Sequence, residues 1–321
     1  MDVVTAERII RVGRGFALAK ALFVASEAGL FEAVGAGATL ERIAERVGMP
    51  ERSVRRICQL LADGGLLAHE DGRYRNAPDA EAFLSGRGPA DLRPMLRFWD
   101  VVSYPGWTEA ERAYRTGEGV YPPLSPMQVE AYESGVAVVT AAAAGALATS
   151  YDFGAHKRVL DVGGGLGTFL LPILARAPHL TGVLVDLPEV AELAARRLAG
   201  EPRIEVAGAD VLTDPLPAGC DVIVVANVLH LLTPERCVAL LGRLREVAEP
   251  GGRLLLVDWW RDPVEPHPDS VSGASEFLMF SGGDTYEASE AADWLTGTGW
   301  RPLEVREVLP PTGVLIAEPV M

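Results

Sequence analysis

The feature that most narrows the folds open to this chain is the run DVGGGLGT, from Asp161 to Thr168. It follows an apolar segment, KRVL, and precedes the apolar, helix-spaced segment FLLPILARA. Glycines in a strand-to-helix turn permit positive φ and leave no Cβ between backbone and ligand. The pattern then repeats as apolar run and amphipathic segment: LTGVLVDL and PEVAELAARRLAG, RIEVAGAD, CDVIVVANVLH and PERCVALLGRLREVAEPGG, then RLLLVDWW. Short apolar runs alternating with helical patterns predict a parallel, doubly wound α/β sheet of Rossmann-like type. Two further helical stretches, SVSGASEFLMF and EASEAADWLTGTGW, precede RPLEVREVL and GVLIAEPV. The last two are expected as antiparallel edge strands.

The N-terminal part has a different texture. FALAKALFVASEAGLFEAV spaces its apolar residues at three to four, and Thr39 is placed to cap LERIAERVG. Pro50 opens ERSVRRICQLLADGGLL, and HEDGRYRNAP reads as a hairpin about Asp71-Gly72. Helix, turn, helix and wing predict a mostly helical winged-helix unit. The expected organisation is therefore a winged-helix domain over 1–90, a helical connection with Gly- and Pro-rich loops over 91–150, and the α/β domain over 151–321.

Arg52, Arg55 and Arg56 on the second helix raise the question of DNA. The first hundred residues carry 14 Lys and Arg against 14 Asp and Glu, so the net charge of −15 resides in the remainder. A body this acidic repels phosphate backbones, and nucleic acid is not expected as a partner. The most membrane-like run, Val136 to Ala148, is too short to span a bilayer, so no membrane partner is expected either. The N-terminus has no signal-type apolar core, and the three cysteines, Cys58, Cys220 and Cys237, have no metal-type spacing. Both fit a reducing cytoplasm.

Ligands of open α/β sheets bind beyond the carboxyl ends of the strands. Four features fall there. An acid, Asp161, precedes the glycine loop, with Gly163 and Gly165 inside it. Asp186, followed by Leu187, ends the second strand, where a carboxylate accepts from both ribose hydroxyls. Asp210 with Val211 ends the third, suited to an adenine amine and ring. Asn227 and His230 follow the fourth. Together they describe a site for an adenosine carrying an amino acid.

On these motifs the chain resembles class I S-adenosylmethionine-dependent methyltransferases. It resembles most the small-molecule O-methyltransferases of the caffeic acid and anthracycline type. AxxxGLF and LLxxGGLL resemble that family's dimerisation domain, DVGGGLGT its cofactor loop, VDLPEV its ribose-binding strand end and EPGGRLLLVD its fifth strand. The resemblance implies S-adenosylmethionine as cofactor, a homodimer, and a small hydroxylated acceptor, aromatic or polyketide-like. His230 matches the family's catalytic histidine, and an imidazole with a pKa near ~6.5 can take a phenol's proton near neutrality. The chain departs from the family after this histidine, with Leu231-Leu232 where Asp-Trp is common. It departs again at Gly282-Gly283-Asp284-Thr285, where Thr285 occupies the position of a supporting Glu. Asp284 or Glu276 is the expected stand-in. Trp259, Glu276, Met279 and Asp284 are the candidate acceptor-site residues, although for Met279, at helical spacing with Phe277 and Phe280, core packing is the default expectation and pocket lining the second.

Three other readings stay open. In one, the acceptor is a carbon or nitrogen atom, including a 2-oxo acid with a metal held by His230, His267 and Asp258 or Glu276. In another, a repurposed fold binds the cofactor without transferring its methyl group. In the third, the chain is a regulator that uses the winged helix.

Overall fold

The computed structural model describes residues 6–320. Contacts divide the chain into two compact units between Val102 and Ser103. The stretch expected as a connection over 91–150 is therefore not a body of its own. Residues 103–150 belong with the α/β unit.

The first unit comprises α1 (Glu7–Gly13), α2 (Gly15–Glu27), α3 (Leu30–Val34), β1 (Ala38–Thr39), α4 (Leu40–Val47), α5 (Glu51–Asp63), β2 (Leu67–Glu70), β3 (Arg73–Asn76), α6 (Pro78–Leu84) and α7 (Arg93–Phe98). The Thr39 hydroxyl accepts from the Arg42 N–H at 3.4 Å, capping α4. Asp71 and Gly72 both take positive φ, 49° and 72°, which is what a two-residue hairpin turn requires. The three strands pair antiparallel in the order β1-β3-β2, completing the wing. Leu30, Phe31, Ile43, Val54 and Leu61 are buried at the centre. Arg55 and Arg56 bond to Glu51 and Gln59 on their own helix, which marks a solvated face. Ile9, Ile10, Val12 and Phe16 on α1 and α2 stand 50–77% exposed, an apolar face left uncovered among the described residues.

The second unit opens with α8 (Tyr104–Gly106), α9 (Ala110–Thr116) and α10 (Pro126–Ser150). Its seven-stranded sheet is built from β4 (Arg158–Val162), β5 (Thr181–Asp186), β6 (Ile204–Gly208), β7 (Val222–Ala226), β8 (Arg253–Trp259), β9 (Trp300–Leu309) and β10 (Thr312–Pro319). The order is β6-β5-β4-β7-β8-β10-β9, with the first five parallel and β10 antiparallel to both its neighbours, β8 and β9. The interleaved helices are α11 (Leu170–Arg176), α12 (Pro188–Arg197), α13 (Pro234–Val247), α14 (Pro268–Ser281) and α15 (Ala288–Gly297). Strands covered on both faces must be apolar throughout. Val222 to Ala226 and Leu254 to Val257 are all buried, as are Leu160 and Leu184, each worth roughly 1.5–3 kcal/mol of transfer free energy.

Helix α10 is longer than the apolar run Val136 to Ala148 suggests. At 25 residues it is long and apolar enough to cross a membrane by length and composition. Here it packs on α11, α12 and β9, and its Ala143, Ala144, Leu147 and Ala148 join the core under the sheet. The chain runs outward from β4 through β5 and β6, then returns to β7 on the other side of β4. That reversal opens a crevice at the carboxyl ends of β4 and β7.

Candidate functional site

The glycine loop leaves β4 at this crevice. Gly163 has φ of 64°, and a Cβ there would stand 2.6 Å from Val228 Cγ2. Gly165 has φ of 52°, and its Cβ would meet Glu133 Oε2 at 2.6 Å. Both positions thus favour glycine for conformation, and Val228 leaves no room for a Cβ at Gly163. The Gly163 N–H is held by the Val185 carbonyl at 2.8 Å, which pins the loop to the end of β5.

Beneath the loop lies Asp161, 1% exposed, with neither carboxylate oxygen hydrogen-bonded. Burial and the charge of Asp186 push its pKa up to about 7. A buried carboxyl without partners costs several kcal/mol if it stays charged, so the site is built to receive a donor or a cation. Asp186 sits at the end of β5. Its Oδ2 accepts from the Gly165 N–H and its Oδ1 from the Leu187 N–H, both at 2.8 Å. Burial raises its pKa while those two amides pull it down. Each oxygen keeps a lone pair for a hydroxyl outside. Leu187 beside it is exposed, ready to cover an apolar ring.

Asp210 follows β6. Its Oδ1 accepts from the Leu212 N–H at 2.9 Å, so this carboxylate caps its own turn with one oxygen. Val211 and Leu212 pack against the core on that face of the sheet. Asn227 takes a left-handed φ of 57°, uncommon outside glycine, directly after β7. It turns the chain into the short 3-10 helix Leu229–Leu231, which carries His230.

His230 is 6% exposed and Asp258, the penultimate residue of β8, is 3% exposed. Nδ1 of His230 and Oδ1 of Asp258 lie 2.5 Å apart. The His230 N–H also reaches Asp258 Oδ2 at 3.3 Å, and the Trp259 N–H donates to Oδ1 at 2.8 Å. Ionised Asp258 accepts only, so Nδ1 carries the proton and Nε2 is left with its lone pair. The ring of Phe277 stacks on His230 with centroids 3.8 Å apart and planes at 17°, and Trp259 stands tilted at 6.4 Å. Gly283 lies against the His230 carbonyl, where a Cβ would come within 1.9 Å, and Ser281 Oγ donates to the Leu231 carbonyl.

The expected stand-ins for the missing Glu are engaged elsewhere. Asp284 Oδ1 accepts from the Thr285 N–H. Glu276 accepts from Ser103 Oγ at 2.6 Å, Trp107 Nε1 at 2.7 Å and Tyr121 OH at 2.8 Å. The partner of His230 is instead Asp258, whose place at the end of a parallel strand two positions from β4 brings it under β7's loop. Sequence reasoning weighed Asp258 only as a metal ligand. Met279 is fully buried against Ala113 and Val120, so it is core rather than acceptor-lining. Trp259 is half-buried beside His230, while Trp260 packs into the core. His267 caps α14 by accepting from the Asp269 N–H. Among the described residues, no three His, Cys, Asp or Glu side chains are grouped to hold a metal.

The donor set therefore fits S-adenosylmethionine: an orphaned acid under a glycine loop, a two-oxygen acceptor at β5, a turn acid at β6. Comparison with known proteins agrees. The family profile of the O-methyltransferase domain matches residues 114–301, and that of the O-methyltransferase dimerisation domain matches 10–86. A 3-hydroxy-5-methyl-1-naphthoate 3-O-methyltransferase of Streptomyces sahachiroi is 32% identical over 89% of this chain and 86% of its own. An N,N-dimethyltransferase of Streptomyces rimosus is 31% identical over 82% of this chain and 80% of its own. Among solved structures, mitomycin 7-O-methyltransferase superposes with a TM-score of 0.89 at 27% identity, over 98% of this chain and 97% of that one.

Proposed function

This chain belongs to the S-adenosylmethionine-dependent O-methyltransferases with a dimerisation domain, and from that premise we propose that it methylates a hydroxyl of a small aromatic or polyketide-like natural product, with His230 as general base. The observation that carries the reading is the buried 2.5 Å contact between His230 Nδ1 and Asp258 Oδ1. It leaves Nε2 as the acceptor, at the carboxyl edge where the cofactor loop also lies.

The bound cofactor supplies an electrophilic methyl group on a sulfonium. Asp161, Gly163, Gly165, Asp186, Leu187, Asp210, Val211 and Asn227 hold and orient it. His230 Nε2 takes the acceptor's proton as its oxygen attacks. Asp258 stabilises the imidazolium that results and fixes the ring by its hydrogen bond. Phe277 holds the ring from its face. Trp259 and Glu276, together with its donors Ser103, Trp107 and Tyr121, bound the acceptor side. Positioning the acceptor oxygen against the cofactor would supply much of the remaining acceleration. A nitrogen acceptor is the second reading, favoured by the N,N-dimethyltransferase relative. The same base serves an aryl-ammonium proton.

The test is a panel of hydroxynaphthoates, other phenols and aryl amines with labelled S-adenosylmethionine. Label in a phenol oxygen is expected. His230→Ala should cut turnover by about 10²–10⁴ while cofactor affinity stays within about twofold. Unchanged turnover removes His230 from the reaction, and label only in amines selects the second reading.

A further inference from the structure

Glu133 is an acid in an otherwise apolar helix. It lies in α10 within AYESGVAVVTAAAAG, is 9% exposed, and its Oε2 stands 2.6 Å from where a Gly165 Cβ would be. Gly165 is the loop residue whose N–H Asp186 holds from the other side. A helix from outside the strand pattern thus brings a third carboxylate, beside Asp161 and Asp186, against the cofactor loop. Its neighbour Tyr132 stacks on Phe280 of α14, which anchors that turn of the helix.

Among the described residues, no cation acts to lower the pKa of Glu133 or Asp161. What acts on Glu133 is burial and the negative charge of Asp186, and both push its pKa up, to about 8. Asp161, against Gly164 of the same loop, feels the same charge of Asp186. Tyr132 on the same helix is raised by burial and by Glu133, Asp186 and Glu276. Every titratable group named here is acidic. An acid that stays buried without a cation carries a penalty that a positively charged ligand removes. S-adenosylmethionine brings two cationic groups, a sulfonium and an α-ammonium, against one carboxylate. Asp161 can face only one of them.

We propose that Glu133 is a cofactor-binding residue whose carboxylate neutralises positive charge on the methionine arm of S-adenosylmethionine. The inference rests on the cofactor assignment and adds a residue to it. Glu133 sets how strongly the site prefers the charged cofactor over neutral adenosine compounds. Where the charge it faces is the sulfonium, it also determines how much the product, which lacks that charge, is disfavoured.

The test is calorimetric titration of the homodimer with S-adenosylmethionine, S-adenosylhomocysteine and 5′-methylthioadenosine, which lacks both cations. Glu133→Gln should weaken S-adenosylmethionine at least tenfold and leave methylthioadenosine within twofold. If S-adenosylhomocysteine is weakened equally, the carboxylate serves the ammonium. If it is spared, the carboxylate serves the sulfonium. Equal loss for all three nucleosides, or no loss for any, overturns the proposal. Should Glu133→Gln not fold, Glu133→Asp keeps the charge and should hold the ratio of S-adenosylmethionine to methylthioadenosine affinity within threefold of wild type. A tenfold fall in that ratio overturns it. If the wild type binds none of the three, the cofactor assignment fails instead.

Discussion

Replacing Asp258 by Asn tests the assignment of the base more sharply than removing the histidine. Asp258 Oδ1 accepts from two groups, His230 Nδ1 at 2.5 Å and the Trp259 N–H at 2.8 Å, while Oδ2 receives the His230 N–H at 3.3 Å. An amide cannot reproduce this. With its oxygen toward Nδ1, its NH₂ faces the His230 N–H, donor against donor. With its NH₂ toward Nδ1, the imidazole must switch tautomer, and Nε2 then carries a proton and no longer accepts one. Either way the imidazolium loses a buried charged partner. A hydrogen bond to a charged group is worth about 1.5–3 kcal/mol. At about 1.4 kcal/mol per decade, that alone is a loss of roughly 10–150-fold in turnover. The tautomer switch deepens it toward 10⁴-fold. The assay is initial-rate formation of S-adenosylhomocysteine against phenols of graded acidity, at a pH where the most acidic are already ionised. Weakly acidic phenols should lose at least tenfold more rate than ionised ones, because an ionised phenol needs no base. An equal loss across the series would refute base catalysis by His230 and leave Asp258 a structural role.

Two further outcomes follow from the same geometry. Gly165→Ala puts a Cβ at a φ of 52° and 2.6 Å from Glu133 Oε2. Left-handed strain costs about 1–3 kcal/mol, so cofactor affinity by calorimetry should fall about 5–150-fold, and an unchanged dissociation constant would contradict the loop's role. Phe16→Glu places a charge on the 62% exposed ring position of α2. Size-exclusion with light scattering should then report monomer in place of dimer, and a persisting dimer would move the subunit contact elsewhere.

The strands, their order of appearance and the cofactor loop were legible because each depends on near neighbours in sequence. Apolar runs of four to seven residues and glycines at a strand end encode those elements whatever surrounds them. The acids proposed for the cofactor, Asp161, Asp186 and Asp210, were legible as candidates for the same reason, since each lies within two residues of a readable strand's end. The His230 partner was not. Asp258 lies 28 positions away, and only the parallel pairing of β7 with β8 brings the two ends together. Glu133 escaped notice because an acid in an Ala-rich helix reads as a solvated face until α10 is packed across α11 and α12. Met279 and Glu276 share a helix of mixed apolar and polar residues, and its period alone did not decide which side would be core. Local pattern thus determined the elements and the site's cofactor half. The pairing of His230 with Asp258, the approach of Glu133 to the loop and the partners of Glu276 were decided by which strand ends and helix faces the tertiary packing set side by side. Such contacts join residues far apart in the chain, and no local periodicity records them.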